Sequence, residues 1–233
     1  MNMAGSFTPE AYYSLEDDST GRCLLPRIFQ RVSAAAPKTI LDYGCGNGRL
    51  WRNPGHHDFE LMLFDPMIDD LRKTLGHIPV PFSIATSTAD LPGNHFDVIV
   101  CSLVLMAVHS DDEAAKLLET IQKCLKASGR LVLALTHPCF IHQAHPDFVT
   151  SFSQKDGFSY NQAGNQYKVI INDRGTEVSL TDTHRNLNAY LDLIKQAGLT
   201  LTDMEEITCE NSKGEALDYP SFLILEAGVS EPI

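Results

Sequence analysis

Two hydrophobic rhythms alternate along the chain, and their alternation carries most of the structural information. Predominantly apolar, strand-like segments occur at 39–43, 61–64, 82–86 and 96–102. Shorter stretches with helical character separate them, one near residues 49–51 and one starting at about Met67. The clearest helix follows, because Ser110 and Glu113 form a capping-box pattern and Ala114, Leu117, Leu118, Ile121 and Leu125 recur at helical spacing. Gly129 closes the connection to 131–135, an unbroken apolar run expected of a central strand covered on both faces. Strands and helices in this order predict an α/β fold, a mostly parallel sheet with helices on either side.

The rhythm breaks between His137 and His184, where the text becomes polar, aromatic and glycine-containing. Segments at 167–172 and 176–181 flank Asp173-Arg174-Gly175 and predict a β-hairpin insertion after the fifth strand. Long insertions of this kind commonly serve as lids or binding elements. The α/β pattern then resumes with a helix over 187–197 ended by Gly198, and strands at 201–207 and 221–227. Ahead of the first strand, Phe7, Tyr12 and Tyr13 precede a helix over 24–36 that Pro37 closes. The 233 residues therefore read as one domain, with residues 1–37 as a helical cap and 138–184 as a lid insertion.

Charge narrows the range of partners. Eighteen Lys and Arg stand against thirty Asp and Glu, a formal net charge of −12, and no basic run occurs, so a nucleic-acid partner is not expected. The six cysteines, Cys23, Cys45, Cys101, Cys124, Cys139 and Cys209, contain no C-x-x-C pair and read as reduced thiols in a cytoplasmic protein. The apolar runs are too short for a membrane span, and the acidic N-terminal segment with Glu10, Glu16, Asp17 and Asp18 does not resemble a signal peptide. His137, His142 and His145 lack the spacing of metal ligands, so no metal is expected.

The most informative chemistry lies at the end of the first strand. Ile40-Leu41-Asp42-Tyr43-Gly44-Cys45-Gly46-Asn47-Gly48 runs from a buried strand straight into a glycine-rich turn, where the backbone can approach a ligand closely. Asp42 places a carboxylate where a cationic amino group can be held. Seventeen positions past Gly48, the second strand ends in Asp65, the placement that lets a carboxylate grip both hydroxyls of a ribose. Together these features predict a nucleoside-binding site.

On Asp42, Gly44, Gly46 and Gly48 the chain resembles the class I S-adenosylmethionine-dependent methyltransferases, whose first motif has the form E/D-x-G-x-G-x-G. The resemblance spans about residues 38–136 and implies a three-layer fold whose seven-stranded sheet has an antiparallel last strand, with S-adenosyl-L-methionine as cofactor. It implies that Gly44, Cys45, Gly46, Asn47 and Gly48 pass under the methionine part, that Asp65 binds the ribose, and that Pro66 and Met67 flank the adenine. Ser87 stands where the family often has Asp and would bond the adenine amino group, with a backbone N–H of Thr88 or Ala89 reaching a ring nitrogen. Ser102 and Leu103, at the end of the fourth strand, would face the cofactor. Met106 occupies a position where many small-molecule members carry His.

Ligands of open α/β sheets sit beyond the C-terminal strand ends, which makes His137 the first candidate for a base in the acceptor pocket and His184 the second. Tyr13, Met106, Tyr160 and Arg185 complete the candidate substrate-binding set, with His142 and His145 in the same insertion. The acidic charge and the lid favour methylation of an oxygen or nitrogen on a small molecule by a monomer or homodimer. Methylation of RNA or protein, and binding of S-adenosylmethionine without turnover, remain alternatives. A nicotinamide enzyme is disfavoured because Arg49 stands where G-x-G-x-x-G requires its last glycine. The short stretch from Arg49 to Pro54 should end the first helix early.

Overall fold

Alternate side chains of the central strands point to opposite faces, and both faces are apolar, so the sheet must be covered twice. A computed structural model describes residues 19–54, 58–72, 75–143, 145–152, 158–173, 176–210 and 214–230. Its main sheet contains β1 (Thr39–Tyr43), β2 (Glu60–Phe64), β3 (Phe82–Ala85), β4 (Phe96–Ser102), β5 (Leu125–Thr136), β9 (Leu199–Ile207) and β10 (Phe222–Val229). Their spatial order is β3-β2-β1-β4-β5-β10-β9. The first five strands run parallel, while β10 lies antiparallel to both β5 and β9.

The alternation sorts the core into two halves. Leu41, Tyr43, Ile99, Cys101, Leu131, Leu133 and Leu135 pack on one face against helices Asp111–Cys124 and Leu187–Gln196. Ile40, Val98, Val100, Val132 and Ala134 face the other way, onto helix Leu25–Ala34 and the buried Trp51. Ser110 caps the first of these helices by accepting a bond from Glu113 N, and Asn186 caps the next by accepting from Ala189 N. The N-terminal helix is fastened to the far edge of the sheet by Arg31, whose guanidinium meets Asp203 at 2.7 Å, Glu205 at 2.8 Å, and Glu226.

Several elements differ from the sequence expectations. The N-terminal helix begins as a π-type turn over Thr20–Leu24 before its regular part. The helix after β2 is a single turn, Ile68–Leu71, whereas the one after the glycine-rich loop is, as expected from Pro54, the three-residue turn Arg49–Trp51. Strand β5 starts at Leu125, directly after the preceding helix, because Leu125 pairs with Phe96 ahead of a register shift in the β4–β5 ladder. The insertion contains more than a hairpin: β7 (Gln166–Asp173) and β8 (Thr176–Thr183) form the predicted pair, and β6 (Phe148–Thr150) adds a third antiparallel strand beside β7. Three strands with one apolar face are the minimum that holds together without a further partner layer.

Candidate active site

A cavity of about 520 Å³ lies between the carboxyl ends of β1, β2, β4 and β5 and the small sheet of the insertion. Its floor is the turn after β1. Gly44, Gly46 and Gly48 all have positive φ, at 81°, 54° and 70°, and a Cβ on Gly44 would sit 2.2 Å from Val104 Cγ2. Glycine is thus required at Gly44 by conformation and by space at once. The N–H groups of Gly44 and Cys45 both donate to Phe64 O, at 2.7 and 3.1 Å, which joins the turn to the end of β2.

Two carboxylates stand at this junction. Asp65, 7 % exposed, accepts from Gly46 N at 3.1 Å and from Met67 N at 2.8 Å. The structure therefore places the strand-terminal acid directly against the glycine-rich turn. Asp42 accepts from the indole N–H of Trp51 at 2.7 Å, and the truncated helix is what swings that indole into position. Burial pushes the Asp42 carboxyl up to about 7, with the neighbouring charge of Asp65 adding to the shift and the Trp51 bond opposing it. Burial also raises Asp65, against the pull of its two backbone donors. Two carboxylates held in low dielectric make this floor a receptor for positive charge.

Asp42, Gly44, Cys45, Gly46, Asn47, Asp65, Pro66, Ser102, Leu103 and Met106 all line the cavity. Gly48 lies at the rear of the same turn, where a Cβ would come 2.5 Å from Ile78 Cδ1. Leu103 holds φ at 58°, an uncommon conformation for a bulky side chain, while its N–H donates to Ala134 O. Met67 contributes its N–H to Asp65 from outside the cavity wall. Ser87, Thr88 and Ala89 are exposed on the short turn after β3 and do not line the cavity; Asp90 binds that turn together by accepting from Thr86 and Ser87.

Met106 apart, the acceptor-side candidates among the described residues fall elsewhere. Thr136 faces the cavity, and His137, the next residue, turns to the other side, where Nε2 meets Glu206 at 2.9 Å, Nδ1 accepts from Cys139 N and the ring packs on Phe140. Burial lowers its pKa, with Glu206 opposing. His184 contacts the Tyr160 carbonyl at 2.9 Å and packs edge-on against Phe158, outside the cavity lining. Tyr160 accepts from Leu187 N through its hydroxyl. Arg185, 1 % exposed, is a clamp on the loop after β4, donating to Leu105 O at 3.0 Å, Val108 O at 2.9 Å and Asp111 at 2.7 Å. His142 and His145 stack on Phe158 and Phe148. Tyr13 lies outside the described residues.

In their place the insertion supplies a roof. Tyr167, Val169 and Ile171 of β7 line the cavity at every second position, joined by Leu180, Thr181 and Asp182 of β8. His109, exposed in the loop after β4, also lines it and meets Thr183 Oγ1 at 3.1 Å. Sequence reasoning missed these residues, although the period-two spacing of Tyr167, Val169 and Ile171 is a readable signal of one shared face. Among the described residues no cluster of His, Cys, Asp and Glu is arranged to hold a metal ion.

Comparison with known proteins agrees with this geometry. Residues 18–201 match the model of a methyltransferase-domain family. The CcbJ methyltransferase from Streptomyces caelestis superposes with a TM-score of 0.64 at 16 % identity, covering 97 % of this chain and 98 % of that one. An S-adenosylmethionine-dependent methyltransferase from Mesorhizobium loti gives 0.61 at 19 % identity, with 91 % and 98 % covered. The 1,6-didemethyltoxoflavin-N1-methyltransferase of Burkholderia thailandensis, solved with its substrate and S-adenosylhomocysteine, gives 0.55 at 15 % identity over 89 % and 79 %. No curated protein matches the sequence. The chain belongs to the class I S-adenosylmethionine-dependent methyltransferases. It is an enzyme of methyl transfer with the Rossmann-like sheet of that class.

Proposed function

We propose that this protein methylates a nitrogen or oxygen of a compact small molecule enclosed beneath the three-stranded sheet of the insertion. The observation that carries this reading is the single cavity shared by the carboxylate-bearing floor and the roof of β6 to β8. Its size lies within the roughly 300–1,000 Å³ usual for small-ligand sites. A net charge of −12 adds to the case against a polyanionic acceptor.

The floor residues fit the nucleoside cofactor. The backbone of Gly44 to Gly48 presents a surface that a Cβ would fill, Asp65 keeps free lone pairs beside its two backbone donors for ribose hydroxyls, and Asp42 stands where an ammonium is stabilised. Pro66, Ser102 and Leu103 also line the cavity; by the family resemblance Pro66 would flank the adenine, and Ser102 and Leu103 would face the cofactor. When bound, S-adenosylmethionine supplies a sulfonium-linked electrophilic methyl group. The protein's part is alignment and exclusion of water: the roof closes over the acceptor, and positioning of this kind contributes on the order of 7–11 kcal/mol. His109, at the rim, is the imidazole of the cavity wall best placed to take a proton, a role that His137 and His184 do not have the orientation for. Among the described residues no helix is long and apolar enough to cross a membrane.

Calorimetric titration with S-adenosylhomocysteine and with NAD tests the cofactor assignment, and radiolabelled methyl transfer into pooled small metabolites, total RNA and protein tests the acceptor class. Binding of S-adenosylhomocysteine alone and label in the small-molecule pool are expected. Label confined to RNA or protein would overturn the acceptor assignment.

A further inference from the structure

We propose that Asp182 anchors the acceptor, and that the acceptor is a compact, largely apolar amine whose N–H groups the Asp182 carboxylate receives. This rests on the methyl-transfer reading above and names the substrate class of that same site.

Asp182 lies near the end of β8, lines the cavity from the roof and is 6 % exposed. Among the described residues no hydrogen-bond donor and no cation pairs with its carboxylate. Every other acid of the cavity wall has a partner: Asp42 the Trp51 indole, Asp65 two backbone N–H groups, and Asp147 the Arg22 guanidinium at 2.8 Å. The surroundings of Asp182 offer no hidden compensation. Tyr167, its register partner across the ladder, and Tyr190 are both pushed upward in pKa by burial and bring no positive charge. Arg185, three residues on, directs its guanidinium to Leu105 O, Val108 O and Asp111.

A buried carboxylate without a donor is far costlier than a paired one, so natural cores seldom retain it unless a ligand completes it. Burial alone pushes this carboxyl up to about 7, which expresses the same deficit. The missing partner must donate hydrogen bonds and preferably carry positive charge. The neighbouring wall of Ile141, Val169, Ile171 and Leu180 requires that the rest of that partner be apolar. An amine on a hydrophobic body satisfies both demands; a carboxylate or phosphate on the same body is repelled.

The test uses the full chain saturated with S-adenosylhomocysteine and titrated calorimetrically with phenethylamine and tryptamine, against 3-phenylpropanoate and indole-3-propanoate, which match them in shape but carry negative charge. The amines are expected to bind, and the acids to bind at least about tenfold more weakly. Asp182→Asn should weaken the amines by about tenfold or more while the affinity for S-adenosylhomocysteine stays unchanged, a result that also shows the variant to be folded. The proposal is overturned if no amine binds, if the acids bind as well as the amines, or if the variant keeps wild-type amine affinity. It is equally overturned if the variant loses S-adenosylhomocysteine in parallel, which would place Asp182 at the cofactor end. The comparison of amines and acids on the wild-type protein decides the matter even if the variant does not fold. A wild-type protein that fails to bind S-adenosylhomocysteine removes the methyl-transfer reading itself, a different failure from absent amine binding.

Discussion

The floor and the roof of the cavity present acidic groups in opposite conditions. On the floor, Asp42 and Asp65 are held by donors from the first two strand–turn units of the chain, the Trp51 indole and the N–H groups of Gly46 and Met67. On the roof, Asp182 has no donor among the described residues, and the wall around it is assembled from segments far apart: β6, β7, β8 and the loop after β4 that Arg185 clamps. The floor is complete before any ligand arrives, as suits a cofactor common to a whole family, whereas the roof leaves the Asp182 carboxylate for the acceptor to satisfy. Preorganisation is concentrated where the ligand is constant and is withheld where the ligand varies.

The sharpest way to break the floor is Gly44→Val, because the side chain would collide with Val104 in a conformation that β-branched residues rarely adopt. We expect S-adenosylhomocysteine affinity to fall by more than about 100-fold in calorimetry, with strain of about 1–3 kcal/mol also lowering thermal stability. On the roof side, Arg185→Ala strands the carbonyls of Leu105 and Val108, and thermal or urea unfolding should show a loss of about 3 kcal/mol. Cofactor affinity should fall less in Arg185→Ala than in Gly44→Val; equal losses would mean that floor and roof are one structural unit. Asp65→Asn keeps the shape and removes the charge, and should weaken S-adenosylhomocysteine by about 10–100-fold, the range for hydrogen bonds to charged groups.

A smaller effect separates the two acids by pH. Asp42 and Asp182 are each pushed up to about 7 in the folded protein, so between about pH 4 and 7 the folded state binds more protons than the unfolded chain. The ligand-free protein should therefore lose stability as pH rises through that window, by up to about 1.4 kcal/mol per pH unit for each group. Asp42→Asn and Asp182→Asn should each remove part of that slope, and S-adenosylmethionine should offset the Asp42 part but not the Asp182 part. A wild-type stability profile that is flat from pH 4 to 7 would refute both shifts. Smallest of all, Thr183→Val deletes the contact with His109 and should alter stability by about 1 kcal/mol or less, with any change in turnover appearing in kcat rather than in cofactor affinity.

How much was legible beforehand follows the same division. The turn from Asp42 to Gly48 and the acid at position 65 could be read directly, because each depends on a strand and the few residues after it. The hairpin of β7 and β8 was legible from two strand-length segments flanking Asp173-Arg174-Gly175, but β6 was not: three residues, Phe148 to Thr150, carry too little period-two signal to stand out. His137 sat at the correct strand end, yet the alternation that turns Thr136 into the cavity turns the imidazole out of it, toward Glu206. Arg185 looked like a ligand-binding cation, and its three bonds to the loop around Leu105, Val108 and Asp111 depend on contacts more than seventy positions away in sequence.

The order of apolar runs, the glycines and the two strand-terminal acids were sufficient to define the sheet and the cofactor floor, because those features rest on backbone conformation and short-range hydrogen bonds that neighbouring residues control. The roof over the floor, the direction of each histidine and the lack of a donor to Asp182 among the described residues were decided only by tertiary structure. A carboxylate acquires or lacks a partner according to which distant segments fold against it, and no local pattern of residues records that outcome.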